Sequence, residues 1–226
     1  MSATVLALRQ LLHQRFPDAA PLAERGSAVA TGLGVVDAVL PGGGLPRGRF
    51  TAWSSEGGAT ALLLAACLTT VGAGERAAWI DGAGVAGPGW PEGPLLLRPA
   101  GVAGAFRSAE AVLQSGAFAL VVLTGAEPAG AVRVRLARAA REGGAAFVAL
   151  AASPALAALR VSSRLLPHGY RWRAGPFGDP ALPLSAAVEV RARAMGWDRR
   201  AEVRLAVAPC DARVPVGPGL ADRRGA

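Results

Sequence analysis

The residues best placed to do chemistry lie where an apolar strand pattern gives way to an apolar helix pattern, at Ser54-Ser55-Glu56-Gly57-Gly58-Ala59-Thr60. Strand, glycine turn and helix start are the parts of a phosphate-binding loop, G-x-x-x-x-G-K-[ST]. In such a loop backbone N–H groups cradle a triphosphate, a lysine meets its β- and γ-phosphates, and a hydroxyl holds magnesium. With Gly58 as the second glycine, Trp53 stands at the first glycine and Ala59 at the lysine. The chain has no lysine at all, and its 24 basic residues are all arginine. An Ala-, Gly-, Arg- and Pro-rich composition turns surface lysines into arginines, but it does not account for an alanine at 59. Arginine itself would be a poor substitute there, because its planar fork does not fit the place of a compact ammonium. Glu56 would repel phosphates. Thr60 is either a remaining magnesium ligand or an ordinary residue of a first helical turn. The loop, about two residues short, is expected to hold no nucleotide.

Two further positions test the same chemistry. A buried strand over 118–123 should end in an aspartate that holds magnesium through water, and it ends in Thr124-Gly125. Glu127 sits nearby in a Glu-Pro turn. Ile80-Asp81 closes the preceding strand, but Gly82-Ala83-Gly84 follows where a water-orienting carboxylate would stand. Phosphoryl transfer needs the cation, the metal and the base together, so no enzyme activity is expected. Other chemistries fare no better. His13 and His168 form no triad or metal spacing with the scattered carboxylates, Cys67 and Cys210 are far apart, and the Ser pairs at 54–55 and 162–163 read as caps or surface hydroxyls. No cofactor and no metal are expected.

The remaining chemistry is cationic. The formal net charge is +8, which suits nucleic acid or an acidic partner. On a helix over 131–142, Arg133, Arg135, Arg138 and Arg141 fall on the arc opposite Val132, Leu136, Ala139 and Ala140. Arg191 and Arg193 share one face of a strand, Arg204 is expected across from them, and Arg171 and Arg173 flank Trp172. These sets are either contacts for phosphate or a partner, or solvated surfaces.

The elements that must position these groups alternate. An amphipathic helix is expected over 3–16, with Leu8, Leu11, Leu12 and Phe16 available to dock on a partner or on the chain's own core. Thr31 is placed to cap a short helix over 35–40. Strands follow at 49–54, 77–81, 95–98, 118–123 and 146–151, and helices at 59–71, 106–114 and 131–142. This alternation predicts an α/β fold with a mainly parallel sheet and helices on both faces. Shorter strands are expected at 161–166 and 170–174. Period-two alternation over 186–195 and 201–207, around Gly196-Trp197-Asp198, predicts a C-terminal antiparallel hairpin with one wet face. The chain divides into an N-terminal helix and linker (1–26), the core (27–208) and a Pro/Gly/Arg tail (209–226). Neither a secretion signal nor a membrane-spanning run stands out, and a cytoplasmic protein is expected.

Residues 28–60 carry a resemblance. Thr31-Gly32-Leu33, Val36-Asp37, Leu40 and the turn Gly42-Gly43-Gly44-Leu45-Pro46-Arg47-Gly48-Arg49 resemble the RecA-family segment that leads into its phosphate loop. The triple glycine with a degraded loop most resembles the ImuA family, RecA-like proteins of SOS mutagenesis. The resemblance weakens beyond residue 151. It implies a RecA-like core acting as a noncatalytic accessory factor in translesion DNA synthesis. The implied partners are an ImuB-like inactive polymerase homologue, an error-prone replicative-type polymerase and RecA; weak sequence-independent DNA binding is expected instead from the arginine face of the helix over 131–142. A SulA-like cell-division inhibitor and a residual RecA-like DNA-repair ATPase are the alternatives. The segments that would match RecA's two DNA-binding loops are shortened, between Leu123 and Ala131, or lack basic glycine-rich character, between Ala151 and Val161.

Overall fold

A computed structural model describes residues 28–84, 86, 90–150, 157–175, 177, 178 and 180–207. A small antiparallel pair, β1 (Ala28–Val29) with β2 (Leu45–Pro46), encloses α1 (Gly34–Val39). The main sheet follows, from β3 (Phe50–Glu56), β4 (Ala77–Asp81), β5 (Leu95–Leu97), β6 (Leu120–Thr124), β7 (Ala146–Leu150), β8 (Leu159–Leu165), β9 (Arg171–Ala174), β10 (Pro180–Ala194) and β11 (Trp197–Ala206). The helices between them are α2 (Ala59–Gly72), α3 (Gly101–Gln114) and α4 (Gly130–Gly143).

The nine strands lie in the order β11-β10-β8-β3-β7-β6-β4-β5, with β9 also paired to β10. From β8 to β5 every pairing is parallel, whereas β10 runs antiparallel to β8, β9 and β11. The chain leaves β3 through α2 toward β4, then returns through β6 and β7. Parallel crossovers share one hand, so opposite directions of travel put helices on opposite faces. α2 packs with α1 on one face, around Trp53, Leu62, Leu63, Trp79 and Val188. α3 and α4 pack on the other, around Phe50, Leu113, Leu123, Leu136 and Phe147. β4 and β6 are buried at every residue, which is why they read as unbroken apolar runs.

Several expectations shift. β3 extends two residues past 54, taking Ser55 and Glu56 into the strand. α3 begins at Gly101, whose φ is +70°, and β6 begins at Leu120. Thr31 does not cap α1, which starts after Leu33 without a side-chain cap. Instead the Thr31 N–H and hydroxyl both donate to Asp37 Oδ1, each at 2.8 Å, and so lock the segment from outside the helix. The hairpin turns at Met195-Gly196, with Ala194 opposite Trp197, so Trp197 and Asp198 belong to β11 and not to the turn. β10 reaches back to Pro180. Its prolines at 180 and 183 masked that extension, and both sit at register shifts against β9, where a missing N–H is tolerated.

Candidate functional site

In an open parallel sheet, ligands bind at the carboxyl ends of the strands where the direction of travel reverses. Here that crevice lies beside β3, at Glu56-Gly57-Gly58. Only two residues join strand to helix. Gly57 and Gly58 have φ of +111° and +82°, left-handed conformations that glycine adopts without cost. Both are packed tightly. A Cβ on Gly57 would meet Leu165 Cδ1 at 2.5 Å, and one on Gly58 would meet Val188 Cγ2 at 2.7 Å. The Gly57 N–H donates to Ser55 Oγ at 3.1 Å. Trp53, at the first-glycine position, is 1% exposed and donates its indole N–H to Ser163 Oγ at 3.1 Å. Ala59, at the lysine position, is 1% exposed and faces the α2 core. Thr60 is exposed on the first turn.

The neighbouring strand ends are occupied by their own contacts. Asp81 Oδ1 accepts the Thr124 hydroxyl at 3.2 Å, and Oδ2 accepts the Ala86 N–H at 3.0 Å. Gly82 donates to the Thr124 carbonyl at 2.9 Å, and a Cβ on Gly125 would fall 2.2 Å from the Ala83 nitrogen. Backbone thus fills the space beyond Asp81. Among the described residues no cluster of three or more His, Cys, Asp or Glu side chains is placed to hold a metal. Burial lifts the Cys67 thiol from its ordinary 9.0 to about 12, which removes it as a nucleophile.

The sheet builds a second feature that lies far apart in sequence. The helices α3 and α4 stop short of β8, β10 and β11, and an open groove of about 660 Å³ remains there. Register sets its rows. Arg160 lies opposite Arg193, and Arg193 opposite Asp198. Ser162 lies opposite Arg191, and Arg191 opposite Arg200. Arg164 lies opposite Glu189, and Glu189 opposite Glu202. On β3, Ser54 joins the second row and Glu56 the third. Charge is therefore sorted. Four arginines against one aspartate occupy the first two rows, while three glutamates surround Arg164 in the third, next to the glycine turn. Arg191 grips Asp198 with two hydrogen bonds of 2.8 and 2.6 Å, and Arg193 reaches it at 3.5 Å. These contacts, led by the Arg191 hydrogen bond, hold the Asp198 carboxyl below its usual range. Arg164 pairs with Glu189 at 3.1 Å. Among the described residues Arg160 and Arg200 form no ion pair.

Arg191 and Arg193 share a face as expected. Arg204 does not lie across from them. It sits opposite Ala187 and donates to the Gly169 carbonyl at 3.3 Å. The helix set stands apart on α4 and is engaged within the chain. Arg135 pairs with Glu110 of α3 at 3.4 Å, and Arg138 with Glu142 at 2.7 Å; Arg133 and Arg141 also have partners. Leu8, Leu11, Leu12 and Phe16, with the tail 209–226, lie outside the described residues. Arg160, Arg164 and Arg200 were missed, although the alternation Arg160-x-Ser162-x-Arg164 carried the signal.

Among the described residues no helix is long and apolar enough to cross a membrane. Compared with known proteins, the chain matches no family model and no curated protein.

Proposed function

We propose that this chain is a RecA-like core that acts without catalysis, as an ImuA-like adaptor for DNA-damage-induced mutagenesis. The observation that carries the noncatalytic part is the two-glycine turn at the head of α2. Leu165 and Val188 fill the space around it, Trp53 and Ala59 face the core, and Glu56, Glu189 and Glu202 line the row beside it. A triphosphate needs a ring of free N–H groups and a cation, and this corner offers acids and packed side chains. The glycine turn leading into the central strand, the sheet wrapped on both faces and the hairpin after the last parallel strand support the RecA-like reading. The partners, an ImuB-like protein, an error-prone replicative-type polymerase and RecA, come from the resemblance of residues 28–60. A shared fold assigns no function by itself.

Affinity capture of the tagged chain from DNA-damaged native cells tests the adaptor reading. Recovery of the translesion polymerase proteins is expected, and removal of residues 1–26 should weaken it if Leu8, Leu11, Leu12 and Phe16 dock there. Recovery of cell-division proteins alone would replace this reading with the SulA-like one. Saturable binding of magnesium-ATP, lost on changing Gly58 and Thr60, would restore the ATPase reading.

A further inference from the structure

We propose that the helix-free face of β8, β10 and β11 is a docking surface for a helix of another protein, one that carries acidic residues at i and i+4 and a basic residue at i+8. α3 and α4 cover this side of the sheet only over β4, β6, β7 and β3, and among the described residues no helix continues the layer. Neighbouring strands are about 4.8 Å apart and a helix is roughly 10 Å across. One more helix laid along β10 would therefore also cover β8 and β11. The groove there is lined by charged and hydroxyl side chains, so charge selects its occupant.

The rows supply the pattern. Successive rows are two strand residues apart, about 6.8 Å, and four residues of helix rise about 6 Å. Three side chains on one stripe of a helix thus meet three rows. The first would face Arg160 and Arg193, and the second Arg191 and Arg200. Arg160 and Arg200 form no ion pair among the described residues, so incoming carboxylates would be matched to open guanidinium forks. In the third row Glu189 is held by Arg164 at 3.1 Å. Glu202, opposite Glu189, reaches only Arg204, at 3.9 Å, and is the acceptor left for a base. A ligand of uniform negative charge would collide with this row, whereas a helix whose charge changes sign meets an opposite at every row.

The chain supplies no such helix itself. Residues 3–16 contain Arg9, His13 and Arg15 and no acid, and residues 209–226 are broken by proline and glycine. The described helices carry at most one acid each, Asp37 in α1, Glu110 in α3 and Glu142 in α4. A second copy therefore lacks the complement, and chains of net charge +8 repel one another. The surface suits an adaptor but does not depend on which partners capture recovers, so the two readings can fail separately.

The test uses the full-length purified protein and fluorescence anisotropy with labelled alanine-rich peptides of about 18 residues, long enough to form helix. One carries Glu, Glu and Arg at i, i+4 and i+8; its isomer carries Glu, Arg and Glu. The first should bind, more weakly as salt rises, and the isomer about tenfold more weakly. Arg160→Ala with Arg200→Ala should weaken the first peptide about tenfold. Glu202→Arg should shift preference to a peptide with Glu at all three positions, a gain that loss of folding would not produce. All three residues are exposed, and circular dichroism checks that the variants fold. Absence of binding at low salt would overturn the proposal, as would equal affinity for the two isomers. Displacement of the peptide by oligothymidylate at physiological salt would also overturn it and give the face to nucleic acid.

Discussion

Restoring the missing lysine should damage this protein and should not revive it. Ala59→Lys places a four-carbon stem and an ammonium at a site 1% exposed, among Trp53, Leu62 and Leu63. Overpacking alone costs about 1–3 kcal/mol. The positive end of the α2 dipole opposes the new charge by roughly 0.5 kcal/mol. If the stem cannot bend out to water, desolvation of an unpaired ammonium adds several kcal/mol more. The smallest consistent loss is about 1.5 kcal/mol, a fall in Tm of roughly 3–6 °C for a chain of this size. Urea unfolding, followed by tryptophan fluorescence with and without magnesium-ATP, measures it. A working phosphate loop would regain about 2.7 kcal/mol at ligand a hundredfold above Kd. The geometric reasoning fails if the variant is as stable as the parent, or if magnesium-ATP, and not magnesium alone, raises its midpoint.

Three further outcomes are expected. Gly58→Ala should cost about 2–4 kcal/mol, from the left-handed backbone and the contact with Val188. Adding Val188→Ala should recover part of that loss in a double-mutant cycle, and strict additivity would show that the contact is unimportant. Cys67 should resist thiol reagents until the protein unfolds. Its folded-state pKa of about 12 lies above the ordinary 9.0, so its contribution to stability is complete below pH 9.0 and is lost as pH rises toward 12; an unfolding midpoint flat across that interval would contradict the burial. Asp198→Asn should remove the carboxylate that Arg191 and Arg193 share across β10 and β11 and lower the urea midpoint slightly, as expected for an exposed ion pair. Because Asp198 titrates below its usual range, its contribution is present above the ordinary carboxylate range and is lost as pH falls through the lowered value, so parent and variant midpoints should converge only on acidification, which urea unfolding against pH would reveal.

What the sequence disclosed, and what it hid, follows from the range of the interactions. The parallel core was legible because β4, β6 and β7 are buried on both faces and carry apolar runs, while α4 keeps a period of 3.6 with Leu136, Ala139 and Ala140 inward. The defects at Ala59 and Trp53 were legible because a phosphate loop is local, with fixed spacing. The packing of Gly57 on Leu165 and of Gly58 on Val188 was not, since it joins positions more than a hundred residues apart. The arginine rows were hidden for the same reason. Arg160, Arg193 and Arg200 become neighbours only through the register of β8, β10 and β11. The α4 arginines stood out in sequence because a helix displays them together, yet the fold engages them within the chain.

Among the described residues, β11 ends the sheet with ten residues that have a neighbouring strand on one side only. An edge of that length invites lateral addition of another strand, the route by which sheet proteins aggregate. Asp198, Arg199, Arg200, Glu202 and Arg204 are all exposed along it, and any incoming strand would have to strip water from each. These charges thus keep newly made chains from adding to one another edge to edge. Replacing one or two of them should leave the protein soluble, whereas neutralising the whole strand should not.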